Sequence, residues 1–248
     1  MIRPRVFDGL PVAAGFSTRA GGVSRGAFAS LNTGLHVGDD EALVRENRRR
    51  VLASLGFDAA HSVVLEQVHG RRVVQVDAPS ERVIEADGIV TRTPGLALTI
   101  GAADCAVVLL AAPDARAVGA CHAGWRGAAG GIVTATVRAL ETLGAEAADI
   151  RAYIGPCISA DRFEVGEEVA AQFDPACVIR RPSWPKPHVD LPAVLRAELT
   201  SLGLPESHIE TENACTAGNL DRFFSHRAEH GHTGRMMGVI GSLRSRGE

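Results

Sequence analysis

Aromatic side chains are scarce in this chain of 248 residues, at 4% of the total. That is too few for a platform on which the bases of a single-stranded nucleic acid would stack. Cysteine is held to five scattered residues, an odd number with no CxxC pair. Neither a disulfide framework nor a four-thiolate zinc knuckle fits that pattern. No apolar run reaches the length of a bilayer span. The opening residues, MIRPRVFDGLPVAAGFS, lack the apolar core of a secretory signal. A dominant charge sign is missing too. The net charge of −3 sets up no global field toward nucleic acid or a membrane surface. We therefore expect a cytoplasmic protein with neither nucleic acid nor membrane as a partner. Internal repeats and low-complexity tracts are absent as well.

What is present is an ordinary globular composition, 46% hydrophobic and 22% charged, enough for one large domain or two small ones. Strand-like runs outnumber helical ones and do not alternate cleanly with them. That order predicts an α+β or mixed-sheet fold rather than a doubly wound parallel one. Asp39 or Asp40 caps a helix that runs to Leu55 and stops at Gly56. Leu43, Val44, Asn47, Val51, Leu52 and Leu55 share one face of it. Asn47 is the polar member of that stripe, either a buried hydrogen-bonding residue or a site residue facing a cleft. Residues 62–77 hold two strand-like runs joined by His69-Gly70, a hairpin or tight corner. Residues 96–112 read as strand, sharp turn, strand, with Asp104-Cys105 at the break. Short helices are expected over 163–173 and 191–202, and a proline-rich loop over 180–187.

The stretch with the most chemistry is AVGACHAGWRGAAGG, residues 117–131. A small apolar strand ends at His122, and a glycine-rich turn carrying Trp125 and Arg126 leads into a helix over 132–143. Such a turn suits an anion at the helix start with Arg126 beside it, or merely supplies the geometry of the turn. A second glycine-rich loop, GFSTRAGGVSRG at 15–26, places Arg19 where an anion would also find it.

His69 at a corner, Cys105 at a strand break and His122 at a strand end each sit where a sheet edge opens. Two His and one Cys make a three-ligand zinc set with a fourth position open, as in catalytic sites. The ion would bring the pKa of a bound water down to about 7. The same atoms also suit a nucleophilic Cys105 activated by either histidine. Either use needs the thiolate. His226, His230 and His232 form a further histidine group, which reads as a metal site or as a solvated segment.

Taken together, the motifs resemble the bacterial YfiH family, also called the laccase-domain or multicopper polyphenol oxidase family. The matching segments are GFSTRAGGVSRGAFASLNTGLHVGDD, ENRRRV, QVHG, ADGIVT, ADC, CHAGWRG, IGPCI, FEVG and TGRMMGVI, which span 15–240 in the family's order. The resemblance implies one domain over 1–248, a mixed-sheet layered α/β/β/α fold similar to a bacterial toxin deamidase. It implies that His69, Cys105 and His122 are metal ligands, chiefly for Zn2+, with Cu2+ as an alternative occupant. It also implies purine nucleoside chemistry with nucleoside and phosphate as small-molecule partners: phosphorolysis of adenosine, inosine and methylthioadenosine, and deamination of adenosine. Arg19 and Arg126 are then candidates for phosphate, and Asn47 for ribose or base.

The chain departs from the family pattern at Val107, Ser159, Phe163, His226 and Ala228, none of them a ligand. Two rival functions belong to the same resemblance. One is a peptidoglycan-editing amidohydrolase that removes serine from a muropeptide precursor. The other is a copper-dependent polyphenol oxidase, which needs many histidines in HxH pairs and a His-Cys-His run. This chain has nine histidines, one HxH and no His-Cys-His.

Overall fold

The computed structural model describes residues 1–79 and 84–243. Two sheets stack face to face and carry helices on their outer faces. The first is five-stranded. It comprises β1 (Val12–Phe16), β2 (Ser62–Glu66), β4 (Ile84–Glu85), β6 (Ala97–Ala102) and β13 (Met236–Ser242), in the order β1-β13-β6-β2-β4. The second is six-stranded. It comprises β3 (Val73–Gln75), β5 (Gly88–Thr91), β7 (Ala106–Ala111), β8 (Val118–Ala123), β9 (Arg151–Ile154) and β12 (Ile209–Thr211), in the order β12-β9-β7-β8-β5-β3. A two-stranded ribbon, β10 (Val178–Ile179) and β11 (His188–Val189), brackets the proline-rich loop.

The central strands of the six-stranded sheet are buried on both faces and so are apolar without alternation, as in β7 and β8, where every residue is buried, whereas β2 of the five-stranded sheet alternates buried and exposed residues. The core between the sheets joins Phe16, Leu98, Ile100 and Ile240 of the first to Val107, Leu109, Val118 and Tyr153 of the second. On the outside of the five-stranded sheet lies α1 (Glu41–Ser54), with Val51 and Leu52 against Met237 and Val239. Asp40 caps it by accepting from the amides of Ala42 and Leu43, a bond worth about 1 kcal/mol. Gly56 leaves the helix with φ +83, a conformation that glycine adopts without strain. On the far side, α3 (Ile132–Thr142) and α5 (Leu191–Ser201) press Val133, Val137, Leu195 and Leu199 onto the six-stranded sheet. The layering is α/β/β/α, as the family resemblance implied.

Three connections cross from the first sheet to the second, β2 to β3, β4 to β5 and β6 to β7, with returns between them. Since β6, β2 and β4 are adjacent and parallel, all three crossings fall at the carboxyl ends of those strands. β8 runs antiparallel between β7 and β5, so its last residues arrive at the same edge, with Ala123 opposite Ala106 and Cys121 opposite Gly88. At this junction four segments distant in sequence meet by topology.

Some local expectations change. His69-Gly70 forms a corner between sheets and not a hairpin, because its flanking strands pair with different partners. Of the helix expected over 163–173, only α4 (Glu167–Ala170) is helical. The segment bearing His226 and His230 is a series of turns, so the two do not share a helix face.

Candidate metal centre

The first corner brings His69 into a left-handed backbone conformation, φ +61, that a non-glycine residue holds only when its surroundings enforce it. Asp87 enforces it. Its carboxylate accepts from the amides of Val68 (3.2 Å), His69 (2.9 Å) and Gly70 (2.6 Å). Gln67 locks the corner from the other side. Its amide donates to the Gly101 carbonyl and accepts from the Gly101 amide, both at 2.8 Å, which extends the β2–β6 pairing by one side chain.

At the second corner Asp104 is likewise left-handed, φ +83, and it aims the next residue, Cys105, toward the junction. The buried Asp104 carboxylate accepts from Thr216 Oγ1 (2.6 Å), Ser225 Oγ (2.8 Å) and the Arg227 amide (2.6 Å). The third donor arrives in β8. The His122 amide donates to the Asp87 carbonyl at 2.7 Å, and its Nδ1 lies 2.8 Å from Asp87 Oδ1. With the carboxylate on Nδ1, the imidazole carries its proton there and turns Nε2 to the junction.

The donor atoms of His69, Cys105 and His122 all lie within 4.8 Å of one another. Among the described residues they form the one group of three or more His, Cys, Asp or Glu close enough to share an ion. The two imidazole rings meet edge to face, centroids 4.8 Å apart. Space beside them is tight. A Cβ on Gly124 would come within 3.0 Å of Cys105 Sγ and 3.1 Å of His69 Cδ2. One on Gly127 would come within 3.1 Å of the Gly70 carbonyl. The glycines of the CHAGWRG motif thus serve close approach around the donors.

Burial pushes the Cys105 thiol up, but the hydrogen bonds and charges of His122 and His69 outweigh it and bring the thiol down to about 6. Burial pushes His122 down, while Asp87 and Cys105 more than reverse this and raise it to about 9. Asp87 is held below the ordinary carboxylate range, against its burial, by His122 and the corner amides. Before any ion binds, these mutual shifts favour the thiolate of Cys105 and the protonated imidazole of His122 beside the Asp87 carboxylate. Two imidazoles and a thiolate, one imidazole braced by an acid, fit a borderline-soft divalent ion with an open coordination position.

A cavity of about 470 Å³ opens onto these three residues, walled by Thr33, Arg48, Gln67, Thr99, Gly101 and Arg235 among others. That volume falls in the range of small-molecule pockets, about 300–1,000 Å³. A larger cleft of about 700 Å³, lined by Trp184, Arg181 and Cys215, contains none of the three donors.

The other candidates from the sequence are placed elsewhere. Asn47 is fully buried; its Oδ1 accepts from the Val23 amide, and its Nδ2 donates to Ser24 Oγ, the Ser30 carbonyl and the Asn32 carbonyl. It fastens the glycine-rich loop to α1 and does not line the cavity. Arg19 is a staple of the same kind. It donates to the carbonyls of Ala29, Leu220 and Phe223, and Glu229 meets its charge at 3.3 Å. Arg126 is exposed on the short helix α2 (Trp125–Ala129), stacked over the Trp125 ring at 4.4 Å. The start of α3 already holds an anion, because Glu198 accepts from the Thr134 amide (2.8 Å) and hydroxyl (2.6 Å). His232 packs on Phe28, and His226 stands on the cavity rim; the histidine group does not converge. Asp87 and Gln67 were missed in the sequence. For Asp87 the available signal was an acid directly before a buried strand, in ADGIVT.

A family model described as multi-copper polyphenol oxidoreductase laccase matches residues 13–243. A purine nucleoside phosphorylase of Deinococcus radiodurans is 43% identical over 243 residues, 96% of this chain and 92% of that protein. The crystal structure of YlmD from Geobacillus stearothermophilus superposes with a TM-score of 0.89 at 37% identity, covering 97% of this chain and 94% of that one. A Bacillus licheniformis hypothetical protein, YfiH, gives 0.88 at 36% identity, with 94% and 93% covered.

Proposed function

The chain belongs to the family described as multi-copper polyphenol oxidoreductase laccase, and from that premise we propose that it is a metal-dependent purine nucleoside phosphorylase. The observation that carries this reading is the braced triad of His69, Cys105 and His122 at the floor of a cavity of small-molecule size. Relatives named purine nucleoside phosphorylase, alignable over nearly the whole chain, support it. Adenosine, inosine and methylthioadenosine are the proposed substrates, with adenosine deamination as a second reaction at the same centre.

His69, Cys105 and His122 hold the ion, which we assign as zinc, with copper able to occupy the same donors. When bound it supplies Lewis acidity beside the purine. The rest falls to the chain's own groups. Asp87 fixes the His122 tautomer and the His69 corner together. The cavity wall, with Gln67, Thr99 and Gly101, orients the nucleoside.

A polyphenol oxidase with several coppers would need several clusters of ligands, and the described residues hold one. The cavity is small for a nucleotide-linked muropeptide, which favours the nucleoside over the cell-wall precursor.

The test is a product assay with adenosine, with and without phosphate. Adenine and ribose 1-phosphate that form only with phosphate, and inosine that forms without it, are the expected products. Serine released from the cell-wall precursor, with nucleosides untouched, would overturn the proposal.

A further inference from the structure

Two arginines share the cavity with the triad. Arg48 comes from the middle of α1, and Arg235 directly precedes β13. Both are partly buried, and neutral groups hold both. Arg48 Nη1 donates to the Thr33 carbonyl and Nη2 to Thr99 Oγ1, each at 3.0 Å. Arg235 Nη1 donates to the carbonyls of Thr233 (2.9 Å) and Gly234 (3.0 Å). Its stem lies so close to Gly34 that a Cβ there would come within 2.7 Å of Arg235 Cγ, which fixes where the guanidinium points.

Among the described residues neither arginine has a carboxylate within ion-pair distance, whereas Arg19, also little exposed, is met by Glu229. The one acid along the cavity wall, Glu66, is exposed at the end of β2. Burial and the nearby Arg45 lower Arg48 to about 10, and burial lowers Arg235 against the charges of Cys105 and Asp104, which raise it; a guanidinium keeps its charge at neutral pH. A desolvated cation is costly unless an anion meets it. Among the described residues no carboxylate is hydrogen-bonded to either arginine, and the anions that support Arg235, Cys105 and Asp104, are engaged by the two histidines and by Thr216, Ser225 and Arg227, which leaves a ligand to meet the pair. The planar guanidinium fork matches a tetrahedral oxyanion.

We infer that Arg48 and Arg235 form an oxyanion site on the wall of the metal-centre cavity, and that its ligand is orthophosphate, the co-substrate of nucleoside cleavage. This rests on the phosphorylase reading. A phosphate oxygen attacks C1′ of the ribose as the C1′–N9 bond breaks. The electron pair goes to the purine, which takes up a proton and leaves as the free base. The pentose departs as its 1-phosphate, and nothing is oxidised or reduced. The arginines bind phosphate in reach of the nucleoside and offset its charge. A 5′-monophosphate on the nucleoside presents the same chemistry, so the two sources are separated by experiment.

Orthophosphate, adenosine and adenosine 5′-monophosphate are each titrated calorimetrically into the metal-loaded wild type and into Arg48→Gln and Arg235→Gln. Each variant is expected to raise the phosphate Kd at least tenfold, equivalent to about 1.4 kcal/mol. Adenosine affinity should stay within about twofold, and in steady state KM for phosphate should rise far more than KM for adenosine. Arg48 also ties down Thr33 and Thr99, so Arg48→Lys provides a charge-retaining control, and Arg235→Gln alone decides if Arg48→Gln does not fold. Wild-type phosphate affinity in folded Arg235→Gln and in folded Arg48→Gln would overturn the inference. So would variants that lose affinity for the 5′-monophosphate but not for orthophosphate. A wild type that neither binds nor cleaves adenosine would instead bring down the phosphorylase reading itself.

Discussion

The corner at His69 and the corner at Asp104 solve one problem in two ways. Both carry the chain from the five-stranded to the six-stranded sheet, both hold a non-glycine residue at positive φ, and both are pinned by one buried carboxylate. At the first, the acid is remote in sequence. Asp87 gathers three successive amides of the corner and, with the same carboxylate, the Nδ1 of His122. At the second, the acid is part of the corner. Asp104 reaches away from the metal centre to Thr216, Ser225 and Arg227 in the C-terminal third. Asp87 therefore couples two ligands to each other, whereas Asp104 couples one ligand to the fold. Loss of the first should be felt in the site and loss of the second in stability.

The largest effect should come from the ligands that the corners serve. Cys105→Ser and His122→Ala are expected to lose bound metal and to lower nucleoside cleavage by at least about 10³-fold, with the far-UV spectrum retained. Metal analysis beside the product assay checks this. Asp87→Asn comes next. An amide cannot accept on every side where Asp87 accepts, so metal affinity should fall about 10- to 100-fold, measured by competition with a chelator. Asp104→Asn should show the opposite profile. Its amide would face the Arg227 N–H, and unfolding by urea should show a loss of about 1–3 kcal/mol, with metal affinity in the folded protein changed far less. If the two variants behaved alike, the distinction between the corners would fail.

Smaller effects refine the picture. Gly124→Ala places a methyl group against Cys105 Sγ and His69, and a several-fold weaker hold on metal is expected. In metal-free protein, alkylation of Cys105 by iodoacetamide should rise through about pH 6, because His122 and His69 draw the thiol down against its burial. The thiolate is the reactive form, so reactivity is low below that pH and full above it. Asp87→Asn weakens the imidazolium beside Cys105 and should move that midpoint upward.

Much of this was legible in the sequence. The Asp40 cap, the Gly56 stop and the stripe of α1 follow from local chemistry, and so do the breaks at His69 and Asp104. His69, Cys105 and His122 stand out by residue type at those breaks, as a metal set or a nucleophile pair, and only the family resemblance marks them as ligands. The joining of the corners was not legible, since β2 and β3 look like a hairpin until their partners in two different sheets are known. The arginine roles were not legible for a related reason. Glycine-rich surroundings suggested ligand contacts for Arg19 and Arg126, but neither lines the cavity of the metal centre: carbonyls and Glu229 hold Arg19, and Arg126 is exposed over the Trp125 ring. Arg48 sits in the arginine run ENRRRV, and its place four residues after Val44 and four before Leu52 was the available signal for the one guanidinium of that run on the cavity wall. Asn47 on its apolar stripe read as either a buried hydrogen-bonding residue or a site residue, and the first holds: it is the bolt of the neighbouring loop.

The most direct test of the central claim is a titration of chelator-stripped protein with Zn2+, following adenine released from adenosine and phosphate at each addition. The account predicts activity that is absent at the start, rises linearly and saturates at one equivalent, with no such rise in His122→Ala. Full activity in the stripped protein, or activity that requires several equivalents of copper, would contradict it.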